Sequence, residues 1–152
     1  MRAAVVFAAA LASCSSVSAQ ENASGRVPRF ADYPETKISH ARVARPAVPR
    51  RWPEELSLRL TDSVYETSRA NFAGQYFMAV MPCGTTCVMG AVVEARTGRL
   101  ITMPSISGWN EVHDKFQGID FRHNSRLVVL SGARNETPGD MGQLFMRWRG
   151  GD

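Results

Sequence analysis

The 152-residue chain has few of the features that mark common classes of enzyme and membrane protein. It contains no run of the roughly 20 apolar residues that a membrane-spanning helix needs. The His-x-x-x-His, His-Glu-x-x-His and Gly-x-Ser-x-Gly patterns are absent, so nothing in the sequence indicates a zinc peptidase or a serine hydrolase. The formal net charge of +4 is too small to predict nucleic-acid binding. No internal repeat is visible.

Cysteine is also scarce, and one of the three cysteines lies in an N-terminal apolar segment. Arg2 precedes an apolar run at residues 3–12, and Val-Ser-Ala at residues 17–19 is a small-x-small cleavage site. This pattern predicts a secretory signal peptide over residues 1–19. An alternative stays open, because Leu-Ala-Ser-Cys ending at Cys14 resembles a bacterial lipobox, in which Cys14 would carry a lipid anchor.

The other two cysteines, Cys83 and Cys87, are separated by Gly84, Thr85 and Thr86. An exported chain meets an oxidising compartment, where disulfides persist, so we predict a structural Cys83–Cys87 disulfide. A loop this short gains little from closure entropy, and the bond is therefore expected to fix a tight turn. We expect Gly84 to relieve the backbone of that turn.

Two chemical alternatives for this cysteine pair stay open. Thiol exchange needs a lowered thiolate pKa, usually supplied by a helix N-terminus or by cations, whereas the residues after Cys87 are typical of a strand. Cu(I) binding is favoured by soft ligands, and His113 or His123 could add a nitrogen. Three methionines flank the pair, although strand alternation already explains them as core residues; they are Met78, Met81 and Met89.

Residues 20–52 are predicted to form an extended, proline-containing basic arm. Within it, residues 37–51 contain five basic residues and no acidic one. We interpret this segment as a solvated connector because Pro46 and Pro49 interrupt it and no aromatic residues alternate with the charges. The alternative is contact with an anionic lipid, a polysaccharide or a partner protein.

Residues 53–152 are predicted to form a single α+β domain, with one helix on the N-terminal side packed on a twisted, mainly antiparallel sheet of about six strands. Pro53 and the apolar spacing of the following residues indicate a helix over 53–69, with Leu58 and Tyr65 widening its apolar face. Gly98 is expected to supply a positive φ in a hairpin turn. The predicted strands are 75–81, 88–95, 99–103, 119–122, 126–131 and 143–149.

The loop before the fourth predicted strand contains a second group of polar residues and an aromatic one. A carboxylate beside a histidine, as in Glu111, His113 and Asp114, can perform acid–base work or bind a metal. Neighbouring residues in a loop need not converge, so we predict a solvated polar loop instead. Trp109 lies within this loop, which is predicted over residues 105–118, and an exposed aromatic there would mark an interaction surface.

An ordered series of motifs covers most of residues 71–148. It runs from NFAGQY at residues 71–76 through CGTTC at 83–87 to a hairpin, FRHNSRL, at 121–127. In this order the motifs resemble a family of small exported bacterial proteins of unknown function. The chain departs from the family pattern at Met81-Pro82, where the family tends to have Trp-Gly. The resemblance implies export, a compact sheet and a turn of this type, and it implies no known activity.

Together these observations predict a small exported protein, periplasmic or secreted, that acts as a non-catalytic binding module with a structural disulfide. The predicted interaction surface is the cysteine turn, Gly84 to Thr86, together with Trp109. The expected partner is an envelope protein or an anionic envelope component, and no cofactor is implied. The alternative is a thiol-redox or Cu(I)-handling protein using Cys83 and Cys87, with His113 as a further metal ligand.

Overall fold

The structure, a computed structural model, describes residues 25–108, 118–137 and 139–150. Within them the chain forms a short 3-10 helix, one α-helix and seven strands, and the strands make two antiparallel sheets, ordered β1-β2-β3-β6 and β4-β5-β7. The predicted α+β class with antiparallel pairing is confirmed, and the strands are divided between two sheets. The bounds are Phe30–Asp32 for the 3-10 helix, Glu54–Thr67 (α1), Tyr76–Gly84 (β1), Cys87–Glu94 (β2), Leu100–Ser107 (β3), Ile119–Phe121 (β4), Leu127–Ser131 (β5), Ala133–Arg134 (β6) and Gln143–Arg147 (β7).

Helix α1 begins after Pro53 and ends before Ser68, which adopts the left-handed conformation of a C-cap. Leu60 and Val64, four residues apart, are buried. Leu58 and Tyr65 were predicted to widen this apolar face, and that prediction is wrong, since they are 57% and 86% exposed. Each helical residue turns by about 100°, so Leu58 points roughly 160° away from Leu60.

The four-stranded sheet lies between α1 and the three-stranded sheet, and it has an apolar cluster on each face. Phe77 and Met81 of β1 pack with the helix, whereas Met78 faces the second sheet. Strand β2 divides in the same way, with Val93 on the helix side and Val92 between the sheets. Burial on both faces explains why its sequence is almost entirely apolar.

The segment that precedes α1 is attached to the domain through its backbone. The amide of Ser39 donates to the carbonyl of Gly74 at 2.7 Å, and that of Ala44 donates to Ala95 at 2.7 Å. Val43, Val48 and Trp52 pack against the cluster beneath the helix. This part of the chain therefore contributes to the core instead of connecting through solvent.

Among the described residues, no helix combines the length and apolar character needed to cross a bilayer. Leu144 and Met146 of β7, and Trp148 directly after it, pack against the cluster between the sheets, as the alternation along this segment predicted. Phe72 packs edge-on against Trp148, with ring centroids 5.3 Å apart.

Candidate functional site

The β1–β2 hairpin ends in the predicted disulfide, which is confirmed: Cys83 and Cys87 are bonded, with Cα atoms 5.0 Å apart. Pro82 pairs with Val88 and Gly84 pairs with Cys87, so β1 advances two residues while β2 advances one. Cys83 is therefore the additional residue of a β-bulge, a feature that bends the strand locally.

Thr85 and Thr86 form the turn itself. The expected backbone role of Gly84 is not observed, because Gly84 is not among the glycines with positive φ. A Cβ atom built at this position would lie 3.4 Å from Cβ of Cys87, an ordinary contact. The bulge and the covalent bond close this turn without a left-handed glycine.

The tip of the hairpin protrudes from the fold. Residues 82–86 are all exposed and Cys87 is half-buried, whereas Met81, directly before them, is only 2% exposed. The apolar core thus stops one residue before the tip. None of residues 82–87 is charged.

The end of β3 lies beside this tip. The amide of Gly108 donates a 3.0 Å hydrogen bond to the carbonyl of Thr86, and Ser107 pairs with Cys87. Trp109 follows Gly108 in the sequence, but it lies outside the described residues, as do Glu111, His113 and Asp114. The structure therefore brings Gly108, the residue directly before Trp109 in the sequence, to the cysteine turn. Cys14 and residues 1–19 are also outside the described part.

A short strand supports β3 from its other side. Ser107 pairs with Ala133 of β6, and Arg134 of β6 is held by Asp140, with Nε 2.6 Å from the carboxylate. The hydrogen bond between these two side chains raises the pKa of Arg134 and lowers that of Asp140. Arg134 is thus a cation already neutralised by an acid of its own loop.

Of the two histidines considered as Cu(I) ligands, His123 is the one that the structure describes, and it lies at the opposite end of the sheet from the cysteines. Nε2 of His123 lies 3.3 Å from the carbonyl oxygen of Gly74, just before β1, whereas Cys83 and Cys87 lie where β1 ends. At about 3.3 Å per residue, this strand is roughly 26 Å long. His123 is therefore too far from Cys83 and Cys87 to share a metal ion with them.

The described residues contain no group of three or more His, Cys, Asp or Glu side chains placed to hold a metal ion. Met78 and Met81 are each 2% exposed and pack in the two apolar clusters, as alternation along the strand predicted. Neither methionine is therefore available to the cysteines as a soft ligand. Met89 is half-buried and belongs to neither cluster, and His113 lies outside the described residues, so these two copper ligands considered from the sequence are not excluded.

Comparisons of the chain with protein-family models, with curated proteins and with solved structures give no match. The resemblance to a family of small exported proteins accordingly stays a prediction. Sequence reasoning had missed the bulge at Cys83 and the contact between Thr86 and Gly108. Both depend on strand register, which the apolar pattern alone does not specify.

Proposed function

We propose that the protein is a small exported module of the bacterial envelope that binds a partner protein without catalysis. Its binding surface is the disulfide-closed tip, Gly84 to Thr86, together with Trp109. The observation that carries this proposal is the uncharged tip, exposed over residues 82–86 and hydrogen-bonded at Thr86 to Gly108, which precedes Trp109 in the sequence.

The covalent closure gives the tip a physical advantage in binding. A loop that is ordered before it meets its partner loses less conformational entropy on association. Thr85 and Thr86 supply hydroxyl groups that both donate and accept hydrogen bonds. Because the tip has no charge, a protein surface is a better match for it than an anionic polymer.

Photocrosslinking tests this surface directly. A photoreactive phenylalanine analogue placed at Thr86 should capture a discrete partner in the intact envelope, and the same analogue at Thr102, an exposed threonine of β3, should not. The double variant Thr85→Ala, Trp109→Ala should no longer crosslink to that partner when the photoreactive residue is placed at a third, unaltered position. Equal capture from Thr86 and Thr102, or retention by the double variant, would overturn the proposal.

Export and anchoring are part of the same proposal. A leader over residues 1–19 and a disulfide that persists in oxidising compartments both support a periplasmic or secreted location. Mass spectrometry of the mature N-terminus distinguishes the two forms: a chain starting at Gln20 indicates signal cleavage, and a lipidated Cys14 indicates anchoring. An intact Met1 in the cytoplasmic fraction would contradict export.

A second function, thiol exchange or Cu(I) handling by Cys83 and Cys87, is favoured by one observation. Cys83 is exposed, and an attacking thiolate needs such access to a disulfide. We would titrate the purified protein in glutathione buffers with and without Cu(I), trap free thiols by alkylation and weigh the products. A pair that stays oxidised below about −300 mV and ignores copper is a structural link. Reduction at a more oxidising potential, or tight binding of one copper ion, would favour the second function.

A further inference from the structure

A groove of about 500 Å³ lies on the opposite side of the four-stranded sheet from the second sheet, between the N-terminal segment and helix α1. One wall comes from residues 42–46 of the segment and the other from residues 61–68 of the helix and its cap. Its lining residues are Arg42, Val43, Arg45, Pro46, Thr61, Val64, Tyr65 and Ser68. The volume falls within the range of pockets that hold small molecules.

The wall formed by the segment is fixed by its backbone. The amide of Val43 donates to the carbonyl of Ser68 at 3.0 Å. The carbonyl oxygen of Arg45 occupies space above Gly98, so that a Cβ atom there would lie only 2.1 Å from it. Gly98, at φ +74°, is the predicted turn glycine, and it also allows Arg45 to sit against the sheet. The groove therefore exists before any ligand arrives.

The two arginines of the groove lack the acidic partners that other arginines nearby have. Arg59 pairs with Glu55 at 2.8 Å, and Arg99 lies 3.8 Å from Glu94. Arg42 and Arg45 are exposed, and within the described parts of the chain neither has an ion pair or a side-chain hydrogen bond. Carbonyls at the C-terminus of α1 would be natural partners, yet neither guanidinium binds them there. Two exposed cations thus line the groove without a protein partner among the described residues.

Apart from Thr61 and Ser68, the remaining lining of the groove is apolar and aromatic. Val64, 5% exposed, and the buried Pro46 lie at its base, and Tyr65 stands at its rim with 86% of its surface exposed. A tyrosine ring so exposed contributes almost nothing to the core beneath the helix. Guanidinium groups recognise phosphate or carboxylate, and an apolar base with an aromatic rim accepts a hydrocarbon chain.

We propose that this groove binds a single-chain anionic lipid. Arg42 and Arg45 hold its phosphate, and the acyl chain lies over Val64 against the ring of Tyr65. This site is separate from the disulfide tip, and it assigns a function to the basic segment that the sequence alone suggested was a solvated connector. It does not depend on the partner proposed for the tip.

The test is calorimetric titration of the protein, purified after expression of the full chain, with lysophosphatidylglycerol below its critical micelle concentration. We expect saturable binding of one lipid per chain. Lysophosphatidylcholine of the same chain length should bind at least about tenfold more weakly. Its head is zwitterionic, so the choline cation offsets the phosphate charge that the arginines would recognise. Inorganic phosphate alone should give no saturable binding.

Variants separate the groove from general charge attraction. The double variant Arg42→Gln, Arg45→Gln should lose about tenfold or more in affinity for lysophosphatidylglycerol. Arg50→Gln with Arg51→Gln removes the same charge outside the groove and should bind normally. Tyr65→Ala should weaken both lipids, and its thermal unfolding should match that of the wild type since the ring is exposed.

Three results would overturn the lipid proposal. Equal loss in both double variants would indicate nonspecific attraction to the basic segment. Equal affinity for the two lipids would indicate an apolar site without anion recognition. Saturable binding of inorganic phosphate at the lipid's affinity would indicate a site for a free anion only.

Discussion

The two ends of strand β1 are held in place by opposite means. Before Tyr76, the carbonyl of Gly74 accepts from the amide of Ser39 at 2.7 Å, and the amide of Gly74 donates to the carbonyl of His123 at 2.7 Å. Close by, the carboxylate of Glu35, 5% exposed, is 2.7 Å from Nε of Arg126. Segments separated by up to about ninety residues in sequence thus meet at this end.

At the other end, the strand leaves the core and is closed by the disulfide within its own hairpin. Gly108 provides one backbone hydrogen bond from outside the hairpin, to Thr86. Substitutions at the two ends of β1 should therefore differ in their effects. At the Gly74 end they should reduce the stability of the whole fold, and at the disulfide end they should change binding while most of the stability remains.

The largest effect is expected for Gly74→Ala. Gly74 has a φ of +73°, and a Cβ atom would lie 2.1 Å from the carbonyl oxygen of Lys37 and 2.7 Å from Cγ of Glu35. The backbone must shift to admit it, so we expect a loss of about 3 kcal/mol or more in the free energy of unfolding. Urea unfolding followed by circular dichroism measures this loss. A stability within about 1 kcal/mol of wild type would mean that the segment around Lys37 is not held against the sheet.

The next largest effect is expected for Glu35→Gln. Its carboxylate accepts from Arg126 and from the backbone amide of Lys37 at 2.8 Å. Burial alone would raise the pKa of Glu35, but the bonds from Arg126 and Lys37 and the charge of Arg126 together lower it below 4.5. Because Arg126 is 40% exposed, we expect a moderate loss of about 2 kcal/mol at pH 7.

The pH dependence identifies the ionised carboxylate as the source of this stability. A lowered pKa in the folded state means that the contribution is complete above the unfolded value of about 4.5 and disappears as the pH falls through the folded pKa. The difference between wild type and Glu35→Gln should therefore shrink in acid. A difference that stays constant from pH 7 to pH 3 would contradict this origin. Glu55→Gln, which removes an exposed ion pair, should cost under about 0.5 kcal/mol and serves as control.

The elements that local patterns specify were predictable from the sequence. Helix α1 differs from its prediction by one residue at the start and two at the end, and Cys83 and Cys87 were paired from compartment chemistry alone. Alternation along β7 also indicated its buried face correctly. In each case the signal lies within a few residues of the chain, where backbone geometry and side-chain spacing act directly.

Contacts between distant segments could not be predicted in this way. The Glu35–Arg126 pair joins residues 91 apart, and neither side chain carries a local sign of the other. The same limit applies to the division of the strands into two sheets and to strand β6, which was predicted as loop. The exposure of Tyr65, in contrast, could have been predicted, because its spacing of five residues from Leu60 places it on a different face of the helix. The tip could be predicted from the sequence because the two cysteines that define it are close together in the chain. The groove beside Tyr65 could not, because its two walls come from segments that only the fold brings together.

The double variant Cys83→Ser, Cys87→Ser should lose no more free energy of unfolding than Glu35→Gln does. For a loop of five residues, the chain-entropy model gives about 2 kcal/mol as an upper value. The core beneath Met81 should be unchanged, so a near-ultraviolet circular dichroism spectrum like that of the wild type is expected. Failure of this variant to fold would mean that the tip stabilises the core, and the two ends of β1 would then not differ in the way proposed.

The smallest effect is expected for Gly84→Ala, the matched partner of Gly74→Ala. The same chemical change is made at each end of β1, but at Gly84 the φ lies outside the left-handed region and the new Cβ would make only an ordinary 3.4 Å contact with Cys87. Alanine also restricts the unfolded chain, which offsets the cost of that contact, so the free energy of unfolding should change by less than about 0.5 kcal/mol. The two variants measured in one urea series test the comparison directly. Similar losses in both would contradict the difference between the two ends, since they would show that the tip is as tightly integrated into the fold as the Gly74 end.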